Sequence, residues 1–259
     1  MAELSPEALL ASLPGWAFAL MLVLSRVSGV CILLPGLGEA EVPMTIRAGA
    51  ALGMSLLLLP VLQPALPAMP DNIFLLVGWI AGEVMCGLWL GWIARLPMLA
   101  LPAAGQLAAG ALGLSNVLQP DPTLGPQTSA LSRLFAMAAP AILLSSGLYA
   151  LPLAALTHSY QAIVPGTWLP AGDLAQSVTV AVGESFAFAL QLAGPFIAAG
   201  IIWQVGMGVL ARLVPQLQIY FAAMPGQILG GLLLLALLSG ALLQTWQTHM
   251  AGISFGFAG

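Results

Sequence analysis

The sequence predicts an all-α, polytopic membrane protein of about six apolar helices with a re-entrant, plug-like segment. Three observations lead there. Of 259 residues, 60% are hydrophobic and only 5% are charged, whereas a soluble domain carries about a quarter charged residues. Apolar stretches of about 20 residues, the length that crosses a bilayer, recur along the whole chain. Clusters of proline and glycine separate them, and proline both lacks a donor and disfavours helix just before it.

The first apolar stretch runs from about Leu13 to Leu34 and carries Arg26. The acidic residues Glu3 and Glu7 precede it without any cation, so it reads as a retained helix rather than a cleaved signal peptide. The second runs from Met44 to Leu62, the third from Ile73 to Ile93 with Glu83 inside, and the fourth from Leu134 to Leu156. The fifth begins near Leu174, contains Glu184 and continues past Pro195 towards Val209, and the sixth runs from Ile219 to Leu243. Loops are expected at Leu34 to Pro43, at Gln63 to Asp71 and at Val164 to Pro170, each rich in Pro and Gly.

Leu96 to Leu118 does not fit this scheme. It is uncharged and rich in Ala and Gly, holds Pro97, Pro102 and Gln106, and leads into Gln119, Pro120, Asp121 and Pro122. Irregular backbone at membrane depth survives only against protein or a water-filled cavity. A re-entrant or pore-lining segment is therefore expected there.

Orientation follows from the cations. There is no lysine, and the five arginines are Arg26, Arg47, Arg95, Arg133 and Arg212. Arg47 lies at the connection of stretches one and two, Arg95 and Arg133 flank that of three and four, and Arg212 lies between five and six. The remaining two connections hold no cation. The arginine-bearing side is expected to be cytoplasmic, which puts both termini in the periplasm.

The composition also excludes function classes. A nucleic-acid partner needs clustered Lys and Arg, which this chain lacks. Cys31 and Cys86 lie in apolar runs, offer no metal spacing and read as buried thiols. There is no HExxH and no GxxxxGK[ST] loop, and neither His158 nor His249 is placed to activate Ser185. No cofactor, metal site or catalytic residue is expected. Arg26, Glu83 and Glu184 are costly inside apolar runs and should face protein or a cavity. They read as polar contacts between helices, such as an Arg26–Glu83 pair, or as parts of an ion path. Small residues four apart, at Gly49 and Gly53, Gly78 and Gly82, Gly87 and Gly91, and Gly226 and Gly230, permit close helix packing within the chain or with partners.

Three blocks carry a family resemblance. The run Arg26 to Pro35 (RVSGVCILLP), followed by Pro43 and Arg47 at the turn between the first two helices, resembles the N-terminal signature of the FliR/SctT family of type III export-gate subunits. Glu83 to Gly91 (EVMCGLWLG) is similar to the family's third-helix pattern. Gly206 to Gln216 (GMGVLARLVPQ), with Pro225, Gly230 and Gly231 after it, resembles its most specific block. Gly113, Leu114, Ser115, Asn116, Val117, Leu118, Asp121 and Pro122 fall where the family has a plug-like loop. This chain has Asn116 where the family often has an aromatic ring, so sealing would fall to Leu114, Val117 or Leu118, and it has Gln218 where the family tends to have Asn.

The resemblance implies a single membrane domain made of helical hairpins. Residues 1–175 would be similar to a FliP subunit, with the plug loop near 106–122, and residues 176–259 to a FliQ-like hairpin. It implies one copy per hetero-oligomer with FliP-like and FliQ-like partners in the bacterial inner membrane, at the flagellar basal body. A cytoplasmic gate loop at Arg212, Pro215 and Gln216 would meet an FlhB-like subunit, and unfolded proteins would pass through the channel. Two further readings stand beside this one: a small secondary transporter with its own substrate site, and a virulence type III secretion subunit.

Overall fold

The computed structural model describes residues 6–114, 128–167, 171–213 and 219–253. Seven α-helices run through them: α1 (Pro6–Leu33), α2 (Met44–Leu62), α3 (Ile73–Ala111), α4 (Ala130–Ser145), α5 (Ala150–Ala162), α6 (Ala171–Leu213) and α7 (Ile219–Ala251). A single 3-10 turn at Gln63–Ala65 follows α2. No strand occurs among the described residues. Five helices are long and apolar enough to cross a membrane, and there are six spans if α4 and α5 count as one bent pair.

Proline and glycine place the breaks by identifiable geometry. Leu37 N–H donates to Leu34 O at 3.1 Å across Pro35 and Gly36, with Gly36 at φ +86°. Proline at the first central position and a left-handed glycine at the second make a type II turn. Pro165 and Gly166 repeat it, with Thr167 N–H donating to Val164 O at 3.2 Å and Gly166 at φ +80°. Gly147, at φ +77°, follows the last turn of α4 and divides the expected fourth span into α4 and α5.

The chain forms two compact units. The first holds residues up to Arg95 together with Tyr149–Val180, and the second holds Leu96–Leu148 with Ala181–Ile253. The first unit buries Val23, Val27 and Val30 of α1 against Ala51 of α2, Cys86 and Leu90 of α3, and Leu156 and Tyr160 of α5. The second is built around the later part of α3, where Leu101, Ala104 and Ala109 pack with Phe135, Phe196 and Trp246.

That second unit corrects the reading of Leu96 to Leu118 as broken. The segment continues α3 as helix to Ala111, with Pro97 and Pro102 inside it. It packs against protein, and three neighbouring helices donate to its backbone. Ser185 Oγ of α6 donates to Leu96 O at 2.6 Å, Trp246 Nε1 of α7 to Pro97 O at 3.3 Å, and Ser132 Oγ of α4 to Pro102 O at 2.8 Å. Gln106 Oε1 accepts the backbone N–H of Ser129, and Ser129 Oγ caps α4 by accepting from Ser132 N–H. With 39 and 43 residues, α3 and α6 are roughly 58 and 64 Å long at 1.5 Å per residue. Each is about twice the hydrocarbon thickness of a bilayer, ~30 Å.

Of the four small-residue pairs, the structure puts one, Gly87 and Gly91, to tight use inside the chain. A Cβ on Gly87 would lie 2.1 Å from Arg26 O, and one on Gly91 would lie 2.9 Å from Leu33 Cβ, whereas Gly49, Gly53, Gly78 and Gly82 meet nothing within 4 Å. Gly29 of α1 completes the crossing, since its Cβ would lie 2.8 Å from Val84 O. Gly87→Ala should therefore destabilise the first unit by about 1–3 kcal/mol, while Gly78→Ala should not. Heating in mild detergent, followed by tryptophan fluorescence, checks this; equal midpoints for the two variants would refute the crossing.

Candidate functional site

The α1–α3 crossing holds a buried charge cluster. Arg26 is fully buried and Glu83 is 3% exposed. Arg26 Nε donates to Glu83 Oε2 at 2.6 Å and its Nη2 to Glu83 Oε1 at 3.0 Å. This is the forked geometry that makes arginine–carboxylate pairs strong. The remaining donors turn to α5: Nη1 donates to Ser159 Oγ at 3.2 Å and Nη2 to Ile163 O at 2.9 Å. The guanidinium carbon sits 4.2 Å from the centre of the Tyr160 ring, a cation–π arrangement that gains strength when desolvated. Tyr160 in turn donates to Val23 O at 3.4 Å. One side chain thus ties α1, α3 and α5 together. Glycines 29 and 87 make this possible, because they let the two backbones approach one helical turn from the charges.

A second polar cluster holds the turn between α1 and α2. Arg95 Nη2 pairs with Glu39 Oε2 at 3.2 Å, and its Nη1 donates to Gly38 O at 3.1 Å. Arg47 Nη2 donates to the backbone carbonyl of Glu39. Arg47 and Arg95 thus hold one turn from two helices. The turn itself owes its shape to Pro35 and Gly36, while Pro43 immediately precedes α2 and accepts from Ile46 and Arg47 N–H. Arg95 lies within α3, sixteen residues before that helix ends, and not at a loop.

The other residues singled out from sequence lie as follows. Glu184 is exposed on α6 and has no hydrogen bond or ion pair among the described residues. Gly113 and Leu114 end α3, with Gly113 at φ +70° and Leu114 2% exposed. Ser115, Asn116, Val117, Leu118, Asp121 and Pro122 lie outside the described residues. Arg212 is exposed in the last turn of α6, where a cation complements the helix dipole; Pro215 and Gln216 lie outside the described residues. Pattern reasoning missed Ser159, Tyr160 and Ile163 as partners of Arg26. They are more than 130 residues away in sequence, and no local periodicity encodes that contact.

Among the described residues no group of three or more His, Cys, Asp or Glu could hold a metal ion. A groove of about 260 Å³ lies between the end of α2 and α5, lined by Leu58, Val61, Leu62 and Tyr160 with His158 and Gln161 beside them. It contains neither Glu83 nor Glu184, the acids that a transporter reading would use.

Residues 17–253 match the sequence model of the family described as bacterial export proteins, family 1. The chain is 30% identical over 225 residues to a flagellar biosynthetic protein FliR of Caulobacter vibrioides, covering 87% of this chain and 90% of that one. It is 26% identical to a flagellar biosynthetic protein FliR of Bacillus subtilis, covering 81% and 82%. It is also 26% identical to the Yop proteins translocation protein T of Yersinia pestis, covering 79% of each.

Removing one member of the buried pair leaves an uncompensated charge. Glu83→Ala should cost about 3–5 kcal/mol and lower the amount of folded chain in membranes. The double replacement Arg26→Met with Glu83→Leu should recover most of that loss, because two apolar groups of similar size carry no desolvation penalty. Protease resistance in detergent measures both; a double variant no better than Glu83→Ala alone would show that the pair has another role.

Proposed function

Because the chain belongs to family 1 of the bacterial export proteins, we propose that it is a non-enzymatic membrane subunit of a flagellar type III protein export gate, lining the channel entrance through which unfolded proteins leave. The match over nearly the whole chain carries this reading, together with three relatives whose names concern flagellar biosynthesis or protein translocation. The flagellar assignment draws on the 30% identity to a flagellar relative, against 26% for the virulence one.

The wider assembly is part of the same proposal. One copy of the chain joins FliP-like and FliQ-like subunits in the inner membrane, with residues 1–175 in the FliP-like role and the α6–α7 hairpin, from residue 176 on, in the FliQ-like role. The helix lengths support this. Apolar helices about twice as long as a bilayer is thick need protein to cover the excess, and exposed Ile201, Ile202, Val205 and Val209 on α6, with Leu229, Leu233 and Leu237 on α7, offer apolar surface for it. The orientation puts Arg47, Arg95, Arg133 and Arg212 towards the cytoplasm and both termini in the periplasm. Arg47 and Arg95 meeting on one turn supports a common side for these two. The loop at Arg212, Pro215 and Gln216 faces an FlhB-like subunit. The segment from Gly113 to Pro122 seals the resting pore, while Arg26 and Glu83 hold the helices and carry no ions.

Purification of tagged chain in mild detergent should recover FliP-like and FliQ-like subunits in a stable complex; a lone monomer would sink the proposal. Deletion of residues 113–119 should make the membrane leak ions, and unchanged conductance would remove that segment from the sealing role. Arg212→Ala should impair export more than Arg133→Ala, and equal effects would count against a gate role for Arg212.

A further inference from the structure

The end of α3 is held in an unusual way. Leu114 N–H donates to Ala109 O at 2.9 Å and Gly113 N–H to Gly110 O at 3.3 Å. With Gly113 at φ +70° and Leu114 buried, this is the Schellman ending, which satisfies the last carbonyls and fixes the direction of the chain. Three successive residues of that ending then meet the α6–α7 hairpin at very short range. A Cβ on Gly200 of α6 would lie 2.3 Å from Ala111 O. One on Gly231 of α7 would lie 3.2 Å from Leu112 Cβ. One on Gly113 itself would lie 2.6 Å from Gln227 Nε2 of α7.

These contacts are local. Gly183, Gly194, Gly206 and Gly208 of α6, and Gly230 and Gly240 of α7, meet nothing within 4 Å. The two glycines that come tightest on the hairpin both press on the last residues of α3. Gly105 of α3 likewise admits α4, since its Cβ would lie 2.7 Å from Phe135 Cδ2 and 3.1 Å from Ser132 Cα, but the tight glycines of α6 and α7 both meet α3 at its end. The atom nearest that position is a backbone oxygen, so no rotamer change of Ala111 could make room for a side chain at 200.

We propose that Gly200 and Gly231 are positioning residues that fix the point where the chain leaves α3. The functional weight of this rests on the reading of the segment beginning at Gly113 as the seal. Sealing needs its first residues at one place, and the hairpin sets that place. The FliQ-like hairpin would thus act on the pore from within the same chain, in addition to any contact with partner subunits.

Two readouts test it in the assembled gate. The first is geometric. Cysteines replacing Leu112 and Gly231 should oxidise readily in native membranes, since their Cβ atoms are spaced close to what a disulfide requires. Adding Gly200→Val should lower the yield several-fold, scored by loss of maleimide labelling. An undiminished yield would overturn the proposal. The second is functional. Gly200→Ala should leave the amount of assembled complex unchanged yet raise sodium influx by about tenfold, the population shift expected for a misplacement of about 1.4 kcal/mol. A merely structural role would instead lower assembly without a leak. Where Gly200→Ala does not assemble, Gly231→Val is read in the same way. Deleting residues 113–119 is the control. If the deletion leaks and an assembled Gly200→Ala gate does not, the positioning role fails. If the deletion does not leak, the sealing role has failed instead, and the cysteine pair alone decides whether the hairpin holds α3.

Discussion

A guanidinium removed entirely from water sits where α1 crosses α3, and the first unit is arranged to keep it satisfied. An arginine in an apolar interior costs several kcal/mol unless it is paired and hydrogen-bonded. Arg26 meets that demand with both oxygens of Glu83, a serine hydroxyl, a backbone carbonyl and an aromatic face. Each partner constrains an element. Glu83 fixes the register of α3 against α1, while Ser159, Tyr160 and Ile163 fix the end of α5. Glycines 29 and 87 are demanded by the same geometry, because the fork closes only where the two backbones nearly touch. A pair of this kind adds little net stability over an apolar substitute. What it contributes is a single register, since any slip leaves a buried charge alone.

The second unit solves a different problem with the same means. Its central helix carries two prolines and yet continues through them, buried among Phe135 of α4, Phe196 of α6 and Trp246 of α7. Ser185, Trp246 and Ser132 donate to carbonyls close to those prolines. Each comes from a different helix, so polar satisfaction and packing are one constraint here too. In both units a few polar side chains from distant parts of the chain fix an apolar bundle that hydrophobicity alone would leave free to slide. An export-gate subunit needs such fixed helices, because a channel through which polypeptides pass must hold its walls in place without help from water.

Legibility in the sequence was uneven along the chain for physical reasons. The boundaries of α2 were readable to the residue at both ends, because Pro43 and the prolines after Leu62 punctuate it. The two Pro-Gly turns were readable as loops because only glycine adopts their left-handed position without strain. The stretch from Leu96 to Ala111 was not readable as helix. Its prolines and small residues signal a break when taken alone, and the helices that bury it come later in the sequence. The split between α4 and α5 was hidden in the opposite way, since the apolar run continues across Ser146 to Tyr149 and only Gly147 marks the turn.

Composition and order by themselves determined that this chain leaves water as a set of apolar helices, where α2 begins and ends, where α3 and α7 begin, and which blocks resemble the export-gate family. These follow from local properties: hydropathy, proline, glycine and short motifs. Tertiary structure alone decided that Arg26 finds Ser159, Tyr160 and Ile163, that Arg95 braces the α1–α2 turn from within a helix, and that glycines 87, 200 and 231 are pressed against backbone or side chain while 49, 53, 78 and 82 are not. Each of those facts depends on which helix faces which. An apolar helix offers nearly the same hydropathy on every side, so its sequence says that it must be covered but not by what.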